Sequence, residues 1–169
     1  MAGSNLEIGD LVVYASHGIG RIEGTQPADG PLPERIILVF AGGLKVTLPL
    51  ARARDALRRL CGEAELAEVQ RTLRADVPPS IESWSRRRRF AQEKLTAGRV
   101  DGLAEIVRDG LQRERRLASG PGRRPAAPSE NELYRQARKL LAAEIAACRG
   151  IESEAADAWI LQQVSGEHG

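Results

Sequence analysis

Two hydrophobic periods divide this chain. From Leu6 to Pro49 apolar residues come in short runs cut by turn residues, a pattern that predicts strands. Asp10-Leu11-Val12-Val13-Tyr14 reads as the first strand, Gly18-Ile19-Gly20 as a turn or bulge, and Gly20 to Gly24 as the return strand. Pro27-Ala28-Asp29-Gly30-Pro31 predicts a hairpin loop, because its prolines cannot donate to a ladder. Arg35 to Phe40 is the most apolar strand; Gly42-Gly43 turn it into Leu44 to Leu48, which alternates until Pro49 stops it.

Beyond Pro49 the period changes from two to 3.6 and the composition turns to Ala, Leu, Arg and Glu, which places a domain boundary near Ala51 to Arg54. Ala53, Ala56, Leu57 and Leu60 make one helical stripe that Gly62 ends; Leu66, Val69 and Leu73 make the next, and Pro78-Pro79 block its continuation. A third helix starts from Ser80 or Ser83 as N-cap and ends at Gly98 as C′ glycine. Leu103, Val107 and Leu111 define a fourth. Residues 118–128, with three prolines and two glycines, read as a mobile linker. Ser129 and Glu132 have capping-box spacing and open a helix with the stripe Leu133, Ala137, Leu140, Leu141, Ile145 and Cys148, closed by Gly150. A last helix, about Ser153 to Val164, carries Ala156, Trp159, Ile160 and Val164. The predicted fold class is α+β: a small SH3-like or Tudor-like β-barrel over residues 1–53, followed by an all-α helical bundle over residues 54–169.

Charge sharpens this division. The formal net charge of +2 is unevenly spread. Residues 1–53 carry four basic and five acidic groups, residues 54–128 seventeen and eleven, and residues 129–169 four and seven. The middle third is therefore the segment suited to a polyanion. Only 4% of residues are aromatic, so the position of each ring is informative. No apolar run reaches the length of a membrane span and the N-terminus has no leader pattern, so a soluble, cytoplasmic protein is expected. Cys61 and Cys148 lie far apart without a C-x-x-C or a histidine at ligand spacing; they predict buried thiols rather than a disulfide framework or a metal site.

Two motifs carry more specific content. Gly9-Asp10-Leu11-Val12-Val13-Tyr14-Ala15-Ser16-His17-Gly18-Ile19-Gly20-Arg21-Ile22 joins an apolar strand to a return strand through a tight turn. It resembles the opening signature of CarD/CdnL proteins and of the polymerase-interacting module of transcription-repair coupling factors. Ser83-Trp84-Ser85-Arg86-Arg87-Arg88-Arg89-Phe90-Ala91-Gln92-Glu93-Lys94-Leu95 resembles the Trp-centred helix of the same family, and the helix with Leu103 to Asp109 follows as that family would have it. The resemblance spans nearly the whole chain and is weakest at residues 25–34 and 112–128.

What the resemblance implies is a non-enzymatic regulator of bacterial transcription initiation. Its barrel would bind the β subunit of RNA polymerase through strand-edge positions that look like Ile37, Lys45, Val46, Thr47 and Pro49. Its helical domain would set Trp84 against the minor groove of promoter DNA, with Arg86, Arg87 and Arg88 beside it, and so stabilise the open complex. DNA binding alone would be weak, salt-sensitive and of low sequence specificity. A monomer without cofactor, metal or small-molecule substrate is expected, brought to the nucleoid by polymerase.

Other readings compete at the same residues. Ile81, Trp84, Ala91 and Leu95 fall on one face of a continuous helix, as a core stripe would, whereas Ser83 as N-cap puts Trp84 at the helix tip. Four consecutive arginines cannot all face one ligand, so two facing DNA is the expectation. The chain also departs from the family pattern: Thr47 stands where many relatives have arginine, the loop at Pro27 to Pro31 is short and lacks arginine, and Ala15 stands at a usual proline. These departures motivate an alternative, a divergent relative acting as a protein-interaction adaptor without promoter melting. His17 fits a turn-stabilising role, because no nucleophile or paired carboxylate accompanies it, and no phosphate loop occurs.

Overall fold

The computed structural model describes residues 5–122 and 128–166, which form two compact units, one ending at Leu60 and the other beginning at Cys61. In the first unit, β1 (Leu11–Tyr14), β2 (Gly18–Gln26), β3 (Arg35–Phe40) and β4 (Lys45–Pro49) are followed by a short helix α1 (Leu50–Ala56) and by β5 (Leu57–Arg59). All pairings are antiparallel and the strand order is β4-β3-β2-β1-β5. Period-two alternation places Ile36, Leu38 and Phe40 of β3 inward with Val12, Ile22, Leu48 and Ala53, while Ile37 and Val39 face the other way.

Three expectations are corrected here. Among the described residues β4 and β5 remain the two edges of one open row, so the sheet is not the closed barrel that the strand count predicts. The helical stripe from Ala53 stops at Ala56: Leu57, Arg58 and Arg59 pair with Tyr14, Val13 and Val12, because the bare edge of β1 offers hydrogen bonds that outweigh local helix propensity. The first unit consequently includes α1 and β5 and runs past Ala53 to Leu60. Gly18-Ile19-Gly20 belongs to β2 and pairs with Tyr14, Val13 and Val12; the turn precedes it as a 3₁₀ turn at Ala15–His17 that closes on Gly18 at a φ of 86°, and the register shift falls between Ile22 and Gly24.

In that turn Ala15 has φ 38°, a value closed to the proline ring, so the proline that the resemblance would place here could not follow this backbone path. His17 stacks on Tyr14 with ring centroids 4.8 Å apart and planes 12° from parallel. That contact ties the turn to the strand before it.

The second unit contains α2 (Glu63–Arg74), α3 (Trp84–Ala97), α4 (Val100–Ser119), α5 (Pro128–Arg149) and α6 (Ser153–Ser165). The predicted stripes meet in one core: Leu66, Val69 and Leu73 from α2, Leu103, Val107 and Leu111 from α4, Ala137, Leu141 and Ile145 from α5, and Ala156, Ile160 and Val164 from α6. α3 contributes only Leu95 as a buried residue and lies on the periphery. The stretch read as linker is shorter than 118–128, since α4 continues to Ser119 and α5 begins at Pro128; residues 123–127 and the side chain of Ser129, with its capping-box role, lie outside the described residues. Among the described residues no helix is long and apolar enough to cross a membrane.

Buried polar groups fix the helices against one another. Gln163 of α6, 6% exposed, accepts from Gln70 Nε2 at 3.0 Å and from Arg74 Nε at 2.8 Å, both on α2. Gln112 of α4 donates to the carbonyl of Ala75 at 2.8 Å and accepts from the N–H of Val77, and Arg116 donates to the carbonyl of Val77. These bonds hold the segment leading into Pro78-Pro79. They thereby fix where α3 can begin.

Candidate functional site

Two prolines keep the chain extended before α3, and Ser83 then starts the helix. Its φ of −61° and ψ of 154° are those of an N-cap, and its hydroxyl accepts from the N–H of Arg86 at 3.4 Å. Ser83, not Ser80, is therefore the cap. Ser80 instead accepts from the N–H of Glu82 at 3.2 Å, one turn of chain earlier. At the other end Gly98 is left-handed, with φ 63°, and its N–H bonds to the carbonyls of Leu95 and Lys94, as a C′ glycine requires.

Trp84 is consequently the first helical residue, and it is 39% exposed. Ile81, one residue of the would-be core stripe, is fully exposed at 100%, so the stripe breaks at the helix start and only Leu95 and the half-buried Ala91 reach the core. The guanidinium of Arg88 lies over the indole, 5.6 Å from its centroid. This is the geometry of a cation–π contact across one helical turn.

The other arginines go elsewhere. At about 100° per residue, Arg88 points within about 40° of Trp84 while Arg86 points roughly 160° away from Arg88. Arg86 pairs with the Glu82 carboxylate at 2.9 Å, Arg87 donates to the Glu82 backbone carbonyl, and Arg89 pairs with Glu93 at 3.0 Å. Of the three arginines expected beside Trp84, the structure brings Arg88 to its ring, whereas Arg86 and Arg87 converge on Glu82. Arg88 forms no ion pair among the described residues.

Glu82 is thus the residue that sequence reasoning passed over. Its i, i+4 spacing to Arg86 was the available signal. Arg87 and Arg88 also border a cavity of about 570 Å³ between α3, α4 and residues 77–82, whose wall includes Phe90, Ile106 and Leu117.

The positions expected to face a protein partner lie on β3 and β4. Pairing sets Ile37 opposite Thr47, Val39 opposite Lys45 and Arg35 opposite Pro49, and paired residues share a face. Since Ile36, Leu38 and Leu48 fill the core, Ile37, Lys45, Thr47 and Pro49 stand together on the outer face. Val46 does not join them. Its side chain packs against the core, so only its backbone is available at the edge of β4. Lys45 is paired with Glu23 at 2.7 Å in an exposed contact, worth at most about 1 kcal/mol and open to exchange for a partner's carboxylate.

Both units correspond to known family models. Residues 6–61 match the CarD-like/TRCF RID domain, and residues 68–161 match the CarD, C-terminal domain. The chain is also similar to the "Putative transcription factor YdeB" of Bacillus subtilis (strain 168), at 23% identity over 150 residues that cover 86% of this chain and 93% of that protein. With one model over each compact unit, and the second alone matching more than half of the residues, the chain belongs to the CarD-like family of transcription regulators.

Proposed function

We propose that this protein regulates bacterial transcription initiation by docking on the β subunit of RNA polymerase and stabilising the open promoter complex through Trp84. The observation that carries the reading is the placement of Trp84 as the first, exposed residue of a capped helix with Arg88 over its ring. A ring at a helix tip can enter the minor groove and partly unstack a base step, while a cation beside it meets the flanking phosphate. The N–H groups of the first turn add favourable electrostatics for phosphate.

The domain type shared with transcription-repair coupling factors supports RNA polymerase as the protein partner. The outer-face cluster Ile37, Lys45, Thr47 and Pro49, with the open edge of β4 beside it, suits docking by strand addition, in which main-chain bonds supply most of the affinity. Such docking tolerates Thr47 in place of arginine. With Arg86 and Arg87 engaged by Glu82, only a few phosphate contacts are available to the isolated protein, so DNA affinity is weak and polymerase supplies the local concentration. The protein then acts in the cytoplasm as a monomer, on the nucleoid only through polymerase.

Open-complex lifetime on a linear promoter, measured with and without the protein, tests the proposal together with capture of the isolated β subunit. Wild type should bind the subunit and extend the lifetime; Trp84→Ala should bind it equally and extend the lifetime little or not at all. A folded, polymerase-binding Trp84→Ala protein that extends the lifetime as wild type does would remove the indole from the mechanism. Capture without any lifetime effect of the wild type would instead favour an adaptor role.

A further inference from the structure

Cys61 and Cys148, 87 positions apart, come together in the helical unit: their sulfurs are 2.9 Å apart, inside the ordinary contact distance of two sulfur atoms. Cys61 is the first residue of that unit, ahead of α2, and Cys148 lies in the last turn of α5. Neither is in a disulfide. Their surroundings hold them in register. The N–H of Cys61 donates to the buried carboxylate of Glu144 at 2.9 Å, one turn before Cys148 on α5, and the Cys148 thiol donates to the carbonyl of Cys61 at 2.8 Å. The backbone of Cys61 is therefore bonded to α5 twice, and the bond to Glu144 does not depend on either sulfur. Closing an S–S bond from this arrangement needs a shortening of under about 1 Å.

We propose that Cys61 and Cys148 form a reversible redox site, closing to an intramolecular disulfide when hydrogen peroxide or a small-molecule disulfide reaches Cys148. Cys61 is 6% exposed, whereas Cys148 is only half-buried and is the sulfur an oxidant meets first. With peroxide, the Cys148 thiolate attacks one oxygen, the O–O bond breaks, and the departing hydroxide takes up the thiol's proton as water, leaving Cys148 Sγ–OH. The Cys61 sulfur then attacks the Cys148 sulfur; the S–O bond breaks and the second hydroxide leaves as water with the Cys61 proton. Two thiols and one peroxide become one disulfide and two waters. Disulfide exchange gives the same product, with two small thiols released.

The physical consequence is a covalent tie between the entry to α2 and the end of α5. It encloses most of the helical unit in one loop, and a loop of that length strongly restricts the unfolded chain. The site is built into the fold of the helical unit and does not involve Trp84 or its arginines, so it stands apart from the promoter-binding reading.

Titrating the full-length reduced protein with hydrogen peroxide tests this. Expected are a mass loss of two hydrogens, disappearance of both thiols under denaturing conditions, a non-reduced peptide joining the Cys61 and Cys148 segments, a rise in Tm on the order of 10 °C, and reversal of all four by dithiothreitol. Cys61→Ser should arrest at a sulfenic acid on Cys148 that dimedone traps. Cys148→Ser, at the less buried position, should leave Cys61 reduced, which keeps the test intact if the first variant folds poorly. Wild-type protein that keeps two free thiols, links into dimers, or carries Cys148 on to sulfinic acid without the internal bond would overturn the proposal.

Discussion

The guanidinium of Arg88 sits over the indole of Trp84 at 5.6 Å, which pairs the exposed ring at the tip of α3 with a neighbouring cation. An exposed contact of this kind is worth about 0.5–1 kcal/mol, too little to govern folding. Arg88→Met should therefore leave Tm within a few degrees of wild type. Its effect belongs on DNA: affinity should fall by a similar factor for all sequences, and the slope of log K against log salt should lose about one unit. Fluorescence anisotropy over a salt series reads both quantities. An unchanged slope would show that Arg88 does not meet a phosphate.

Glu82 holds the Arg86 side chain by its carboxylate and the Arg87 side chain by its backbone carbonyl. Glu82→Gln keeps the carbonyl and removes the negative charge. Arg86 becomes available to phosphate, and the variant should bind duplex DNA several-fold more tightly at low salt, with a steeper salt dependence. A weaker-binding variant would mean that the ion pair orients Arg86 for DNA rather than occupying it.

The cap at Ser83 separates stability from binding. Ser83→Ala removes the acceptor for the Arg86 N–H and should cost about 1 kcal/mol, within the usual range for a lost N-cap. Ser83→Asp restores a cap and adds a favourable charge at the helix N-terminus, so its Tm should match or exceed wild type. That same charge faces the polyanion beside Trp84. Thermal melts and DNA titrations of the pair should thus diverge, with the aspartate variant stable but the poorer binder; equal DNA affinity for Ser83→Asp and wild type would place the helix tip away from the duplex.

Alkaline pH probes the core of the helical unit. Burial pushes the Cys61 thiol well above its ordinary value of 9.0, helped by the hydrogen bond with Cys148 and the nearby Glu144 carboxylate, and burial likewise raises the Tyr134 phenol above 10.0. Both groups keep their protons when folded and release them more readily when unfolded. The unfolded chain then binds fewer protons above about pH 9, so stability is intact below that value and declines as pH rises beyond it. Urea unfolding at about pH 8 and about pH 10 should show this decline, and Cys61→Ala should reduce it. A stability that is level over this range would contradict the burial of both groups.

How much of this was legible in the sequence depends on whether short-range chemistry decides the feature. Ser83 and Gly98 bound α3 through their own side chain and backbone freedom; Gly98 was readable as such, and Ser83 as one of two candidate caps with Ser80. The apolar run Arg35 to Phe40 was likewise readable as a strand, although an unbroken run of apolar residues does not say which of its faces, the one with Ile36, Leu38 and Phe40, meets the core. Leu57 to Arg59 were not readable: their spacing continues a helical stripe, and it is the edge of β1, over forty residues earlier, that draws them into the sheet. Val46 was grouped with its edge neighbours although alternation turns its side chain inward. Within the Arg86 to Arg89 run, composition announced cations without saying which of them Glu82 and Glu93 would engage. The meeting of Cys61 with Cys148 depends on how the end of α5 lies against the residue that leads into α2, which no spacing encodes.

Gly110 of α4 exists to admit a ring. A Cβ at this position would overlap Tyr134 of α5, with Cγ 2.9 Å and Cε2 3.0 Å away and Cδ2 closer still. On an exposed helix Gly→Ala stabilises by about 0.5–1 kcal/mol, because alanine has less backbone freedom to lose. Here overpacking, at about 1–3 kcal/mol, should win, since Tyr134 cannot retreat freely: its hydroxyl accepts from Arg138 Nη1 at 3.3 Å, and Arg138 in turn grips Asp157 of α6 with two nitrogens. Gly110→Ala should therefore lower stability by about 1–2 kcal/mol. In a Tyr134→Leu background, where the ring is gone, the same substitution should become neutral or stabilising, and the double-mutant cycle should return a coupling of roughly that size. A Gly110→Ala protein that melts above wild type would show that the two helices have room between them which this packing denies.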